Sequence, residues 1–194
     1  MNRDRVSFRL SGLCFAIIAV GGLSAASAAD NPIYNSETDL SVKPLSPEDA
    51  AKAFQVPEGF KVQVFAAEPE VQNPIAMSWD GRGRLWIAEN YTYAERGKKF
   101  DLGLRDRILI FSDKDGDGKQ DERKVFTDDV QMLTGIEVGT DGIWVIAPPR
   151  LLFIPDKNRD DIPDGPAVTV LDGFDVPAEN YHNFANGIKF GPDG

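Results

Sequence analysis

The chain has 194 residues and a formal net charge of −10 at pH 7, with one cysteine and one histidine. An acidic surface of this kind repels nucleic acid and anionic lipid and attracts cations, so nucleic-acid binding is excluded. Because Cys14 is the lone cysteine, the chain can form neither an intrachain disulfide nor the cysteine pair that attaches a c-type haem.

Residues 1–29 are predicted to be a signal peptide. Basic residues precede an apolar run from Leu10 to Leu23, and small residues that suit signal peptidase continue to Ala29. The run is shorter than the roughly 20 apolar residues that cross a bilayer. We therefore expect export to the periplasm or the cell exterior. An uncleaved signal anchor, which would leave the protein membrane-associated, is the alternative.

Residues 30–57 read as a polar lead-in that contains one short helix. Ser46 is the predicted N-cap, and Pro47 stands at the first helical position. Glu48 and Asp49 carry negative charge at the positive end of that helix, where it is favourable.

From residue 58 to residue 194 the sequence predicts one all-β domain. Phe60–Phe65 alternates apolar and polar residues, which is typical of a strand with one buried face. Short strand-like runs separated by Gly- and Asp-rich turns follow, without a further amphipathic helix.

Two segments of this domain recur. Residues 79–88 return as residues 138–147 and begin again at Phe190, while residues 107–115 return as residues 150–158. Together they make a four-strand unit, which is the blade of a β-propeller. We therefore predict a propeller, about six-bladed when complete, of which about two and a half blades are present. Blade one covers about 60–130, blade two about 132–175, and a third begins at about 184.

The first unit carries an insertion, residues 89–105, between its second and third predicted strands. Long loops on a rigid scaffold are where binding and catalytic residues concentrate. Its polar and aromatic side chains are candidates for a substrate or cofactor face: Asn90, Tyr91, Tyr93 and Arg96.

An Asp-rich loop follows the third predicted strand. Alternating carboxylates that converge around a turning glycine supply the hard oxygen ligands that Ca²⁺ prefers. The candidate ligands are Asp113, Asp115, Asp117, Asp121 and Glu122. A solvated hairpin tip is the alternative, since turns favour Asp and Gly, but the carboxylates would repel one another without a cation.

The second unit has a degraded copy of this loop. Its candidate ligands are Asp156, Asn158, Asp160 and Asp164. Arg159 adds positive charge and Asp161 replaces the turning glycine, so the second loop is the weaker calcium candidate.

His182 is either a hydrogen-bonded structural residue or a general base. In an up-and-down unit, the insertion and the connection that holds His182 leave by the same edge, and the Asp-rich loops leave by the opposite one. We therefore expect His182 to face the insertion, with Asn183 and Asn186 as polar anchors beside it.

The sequence resembles a known family in several segments taken together. They are Val56–Phe60, Phe65–Pro69, Trp86–Asn90, Asp106–Ile108, Asp113–Glu122 and His182–Gly187. This combination is similar to the start of the membrane-bound dehydrogenase domain of planctomycete and verrucomicrobial type, a relative of the sorbosone and soluble glucose dehydrogenase propellers.

The resemblance implies a quinoprotein-like dehydrogenase that acts on a sugar or polyol. In such enzymes a histidine takes the hydroxyl proton, hydride passes to pyrroloquinoline quinone, and Ca²⁺ polarises the cofactor. It also implies a cytochrome c domain as electron acceptor. A non-catalytic, calcium-stabilised propeller that binds carbohydrate or a protein partner is the alternative.

Overall fold

The structure is a computed structural model that describes residues 43–94, 98–175 and 182–193. From Leu45 onward the described residues belong to one compact unit, and the predicted signal peptide lies outside the described ranges. Among the described residues, no helix has the length and apolar character needed to cross a membrane. The unit is mostly β-structure in two antiparallel four-stranded sheets, so the prediction of an all-β fold is confirmed.

The helix α1 spans Pro47–Ala53, as predicted. Its N-cap is Ser46, whose hydroxyl accepts a hydrogen bond from the backbone N–H of Asp49 at 3.1 Å. That bond satisfies one of the backbone donors that a helix leaves unpaired in its first turn. No residue of α1 is buried, so the helix lies outside the hydrophobic core.

Each sheet is a meander in which every strand pairs with the next along the chain. Sheet 1 contains β1 (Pro74–Trp79), β2 (Leu85–Glu89), β3 (Asp106–Ser112) and β4 (Glu122–Val130). Sheet 2 contains β5 (Gly135–Val138), β6 (Gly142–Ala147), β7 (Arg150–Pro155) and β8 (Val168–Asp172). We call the edge where β2 connects to β3 the insertion edge, and the edge where β3 connects to β4 the Asp-loop edge.

The main hydrophobic core lies between the two sheets, because alternate residues of each strand point at the facing sheet. Sheet 1 contributes Trp86, Ala88, Ile108, Ile110, Phe126 and Val130, and sheet 2 contributes Ile136, Ile143, Val145, Ala147, Leu152 and Ile154. The rings of Trp86 and Phe126 meet edge to face with their centroids 5.0 Å apart. Burial of this many aliphatic and aromatic side chains is the dominant favourable contribution to folding.

The predicted strand at Phe60–Phe65 is wrong, because the structure places no strand between α1 and β1. The segment instead lies across the outer face of sheet 1, where Phe65, Ala66 and Val71 pack on a second core of Leu85, Ile87, Leu109 and Phe111. Its hydrogen bonds go to the β3–β4 loop: the carbonyl of Phe65 accepts from the N–H of Gln120. The alternating pattern therefore corresponds to neither a strand nor a buried face, because Phe60 and Val62 are 72% and 39% exposed and only Phe65, of the opposite phase, packs on sheet 1.

The two sheets repeat with a one-residue difference that the sequence alignment missed. Trp79 pairs with Leu85 in sheet 1, whereas Val138 pairs with Ile143 in sheet 2, so the second turn is one residue shorter. The counterpart of Trp86 is therefore Trp144 and not Val145, which the alignment of residues 79–88 with residues 138–147 had placed there.

Candidate functional site

The insertion forms a short hairpin that projects from the insertion edge. The carbonyl of Thr92 accepts from the N–H of Asp101 at 2.7 Å, and the N–H of Ala94 donates to the carbonyl of Lys99 at 2.8 Å. Tyr93 and Phe100 face each other as an isolated antiparallel bridge. Arg96, a predicted ligand-facing residue, lies outside the described residues.

His182 meets this hairpin. The hydroxyl of Tyr93 contacts Nδ1 of His182, and the two ring centroids are 5.9 Å apart. Phe184 completes the group, with its ring 6.1 Å from that of Tyr93 and 5.8 Å from that of Phe100. The structure thus brings together the insertion and the histidine as the edge argument predicts. We call Tyr93, Phe100, His182 and Phe184 the aromatic cluster.

Asn183 and Asn186, the predicted polar anchors, are both exposed next to the aromatic cluster along the chain. Asn90 has a different position from the one predicted, because it is buried beneath the insertion edge and not turned to a ligand. Its Nδ2 donates to the carbonyl of Leu133 at 2.6 Å, and its Oδ1 accepts from the N–H of Tyr93 at 2.7 Å.

Tyr91 lies on the outer side of the same edge in a polar group around Glu89. The carboxylate of Glu89 is fully buried and ion-paired with Arg107, and the Tyr91 hydroxyl donates to it at 2.9 Å. Burial, and then the hydrogen bond to Glu89, raise the pKa of Tyr91 above its ordinary value. Tyr91 and Arg107 line a groove of about 920 Å³, so Tyr91 remains on an accessible surface.

The first Asp-rich loop gathers three carboxylates at the Asp-loop edge. One oxygen from each of Asp113, Asp115 and Asp117 lies within 4.8 Å of the other two. Asp113 also accepts from the N–H groups of Gly116 at 2.7 Å and Gly118 at 2.9 Å, which fixes the turn around the group. The set of oxygens and their spacing suit a hard divalent cation.

The other two predicted ligands of this loop have separate roles in the structure. Asp121 closes the neck of the loop, because its Oδ2 accepts from the N–H of Lys114 at 2.6 Å. Glu122 forms an exposed ion pair with Lys114 at 3.1 Å. Neither belongs to the group of three carboxylates.

The second Asp-rich loop has the same backbone arrangement. Asp164 accepts from the N–H of Lys157 at 2.7 Å, as Asp121 does from Lys114. Asp156 accepts from the N–H of Asp161 at 3.2 Å, as Asp113 does from Gly118. In this loop, however, Nδ2 of Asn158 donates to Asp160 at 2.9 Å, so an amide group occupies the place of the carboxylate of Asp115.

Asp161 joins the second loop to sheet 1. Its two carboxylate oxygens accept from Nη1 of Arg84 at 2.7 Å and Nη2 at 2.8 Å, and Nε of Arg84 donates to Asp80 at 2.8 Å. The hydrogen bond from Arg84 lowers the pKa of Asp161 and outweighs the opposing effect of burial. Sequence reasoning noted Asp161 only as the loss of a glycine, because its partner is 77 residues away.

Comparison with known proteins gives one match. A family model described as a domain of unknown function (DUF7133) matches residues 46–194, which is most of the chain. The chain belongs to this family. No curated protein and no solved structure matches it.

Proposed function

We propose that the two sheets are consecutive blades of a β-propeller, and that this protein oxidises a sugar or polyol at the insertion edge. The sequential strand order and the core shared by facing sheets are the features that support the propeller. The β1 strand on the outer face of sheet 1, which is less covered than the second core beside it, supports the propeller as well. Met77 and Trp79 are 64% and 58% exposed, whereas their register counterparts Ile136 and Val138 pack against sheet 1. A further sheet would cover them in the same way.

The contact between Tyr93 and His182 is the observation that carries the functional proposal. A neutral imidazole has a nitrogen that can accept a proton, so His182 suits the removal of a proton from a hydroxyl group. The faces of the surrounding aromatic rings suit the C–H groups of a sugar, and the exposed Asn183 and Asn186 offer hydrogen bonds to its hydroxyls.

A quinone that carries several carboxylates needs cations around it. In the described part of the insertion edge, Lys98, Arg105 and Arg107 are already ion-paired with Asp101, Asp129 and Glu89, respectively. Lys99 is the one other cation of the insertion among the described residues, and a single lysine does not form a cradle for pyrroloquinoline quinone, so we assign no step to the cofactor here. Binding of the hydroxyl and removal of its proton are the parts of the reaction that the described residues can perform.

The test is dye-linked oxidation of a panel of sugars and polyols by the full chain, supplied with the quinone and Ca²⁺. We expect His182→Ala to lower the rate by about 10²- to 10⁴-fold, as the loss of a general base does. Lys61→Ala, an exposed change between α1 and β1, is the control and should have no effect. Folded protein that oxidises nothing in the panel would contradict the proposal.

The same panel tests a second candidate function, non-catalytic carbohydrate binding. The packing of Tyr93, Phe100 and Phe184 favours it, since aromatic faces serve binding as well as catalysis. Saturable binding of a sugar without dye reduction, weakened by Tyr93→Ala, would support this candidate over oxidation.

We also propose that Asp113, Asp115 and Asp117 hold a structural Ca²⁺, on the opposite edge from the aromatic cluster. The convergence of their three carboxylates supports this. A ligand that binds only the folded state stabilises it by about 2.7 kcal/mol at 100 times its Kd. Calcium should therefore raise the melting temperature, and Asp115→Ala with Asp117→Ala should abolish the rise. Glu58→Gln is the charge control, and an equal rise in the double variant would contradict the proposal.

A further inference from the structure

Asp106, at the start of β3, is fully buried beneath the insertion edge. Its Oδ1 accepts from the N–H groups of Tyr91 and Thr92, each at 2.7 Å. Its Oδ2 accepts from the hydroxyl of Thr92 and the N–H of Leu133, each at 2.9 Å. The donors come from two separate segments, the root of the insertion and the connection between the sheets.

Asn90 extends this network to Tyr93. Its amide donates to the carbonyl of Leu133, whose N–H is held by Asp106, and its Oδ1 accepts from the N–H of Tyr93. The backbone positions of the two residues before Tyr93 are thus fixed by Asp106, and that of Tyr93 itself by Asn90.

The segment that carries His182, the partner of Tyr93, is hydrogen-bonded to the same connection between the sheets. The hydroxyl of Thr134, the residue after Leu133, donates to the carbonyl of Ala185 at 2.6 Å. Ala185 lies in the same described segment as His182. The connection between the sheets therefore contacts both the hairpin that carries Tyr93 and the segment that carries His182.

We infer that Asp106 is a positioning residue that holds Tyr93 against His182, an inference that rests on the proposed role of this pair. Hydrogen bonds to a carboxylate are stronger than those between neutral groups, and a buried donor left without its acceptor is costly. Four donors directed at one carboxylate therefore restrict the root of the hairpin much more than apolar packing would. Thr92, which donates to Asp106 through its N–H and its hydroxyl, directly precedes Tyr93, so the position of Tyr93 depends on the root.

The test uses the only histidine of the chain, whose ring protons give one assignable set of NMR signals. In the full-length protein we expect nuclear Overhauser contacts from the His182 ring to the rings of Tyr93 and Phe184. Asp106→Asn places an amide donor where an acceptor is needed, and those contacts should be lost. Thr92→Val, which removes one hydroxyl and keeps the shape, should weaken them.

Leu109→Ala is the control, since it creates a cavity in the same strand on the face opposite the network. It should lower the melting temperature and leave the His182 contacts intact. The inference is overturned if the contacts persist in both network variants, or if the control loses them too. If Asp106→Asn does not fold, Thr92→Val decides the matter. No sugar or quinone enters the measurement, so its result is independent of whether the protein oxidises a substrate.

Discussion

The two Asp-rich loops share a backbone and differ in what their side chains do. Both place an Asp at the neck and a pair of left-handed residues in the turn: Gly116 and Gly118 in the first loop, Arg159 and Asp161 in the second. Glycine adopts that conformation without strain, whereas Arg and Asp adopt it at a cost. The first loop gathers three carboxylates around unstrained glycines, whereas Asp161 of the second loop uses its carboxylate to join two sheets.

The turn position is Gly118 in the first loop and Asp161 in the second, and its surroundings differ between the two loops. Gly118 lies against the side chain of Gln63, in the segment between α1 and β1, and that side chain donates to the carbonyl of Asp117 at 2.6 Å. The corresponding carbonyl, of Asp160, accepts from Nζ of Lys124 in sheet 1 at 2.9 Å. The segment between α1 and β1 therefore makes on sheet 1 a contact of the kind that sheet 1 makes on sheet 2.

The largest effect should come from Arg84→Met. The change leaves Asp80 and Asp161 without their shared cation, and loss of one partner of a buried ion pair costs about 3–5 kcal/mol. For a domain of this size that loss corresponds to a fall in melting temperature of about 6–20 °C. Thermal unfolding followed by circular dichroism measures it. Arg82→Met, which removes an exposed cation from the same turn, should cost much less, and an equal loss would contradict the role of the ion pair.

This stabilisation should also depend on pH. The pKa of Asp161 is lowered in the folded protein, so its contribution is present above the ordinary value of 3.8 and is lost as the pH falls through the folded pKa. The difference in stability between wild type and Arg84→Met should therefore be largest near neutral pH and shrink in acid. A difference that grows in acid would contradict the assignment.

A smaller effect should follow from giving the second loop the residues of the first. Asn158→Asp restores a carboxylate at the place of Asp115, and Arg159→Gly removes a cation and a strained residue. We combine them in a protein whose first loop is disabled by Asp115→Ala and Asp117→Ala. There they should restore a calcium-dependent stabilisation of about 1–3 kcal/mol, seen as a rise in melting temperature. Arg159→Gly alone is the matched control and should not restore it.

The sequence predicted more of the fold than of the site, for reasons that particular residues show. The continuous apolar run of β3 and the repeated Asp/Gly turns are local signals, so the strands and the shared edge of Tyr93 and His182 followed from them. The strand predicted at Phe60–Phe65 failed because the alternating residues have no hydrogen-bonded neighbouring strand, and Phe60 and Val62 are 72% and 39% exposed.

Long-range partners explain why less of the candidate site than of the fold could be predicted from the sequence. Asp106 and Arg84 read as ordinary charged residues next to strands, and their importance depends on partners 27 and 77 residues away. Asn90 looked like a ligand-facing polar residue for the same reason, because its bond to the carbonyl of Leu133 spans 43 residues. For Asp106 and Asn90, the local signal is a polar side chain at the end of an apolar strand, where backbone groups leave the ladder and need other partners.

The smallest effect should come from Gly118→Ala, which asks how the first loop tolerates the conformation of the second. Gly118 has a φ of +85°, and an added Cβ would lie 2.8 Å from Nε2 of Gln63. Strain and displacement of the Gln63 hydrogen bond should together cost about 1–2 kcal/mol. In a Gln63→Ala background the contact is already gone, so Gly118→Ala should cost less there, by an amount that a double-mutant cycle of unfolding free energies measures. If the two changes are additive, Gln63 does not restrict the conformation of this loop. The likeness between Gln63 and Lys124 is then one of position alone.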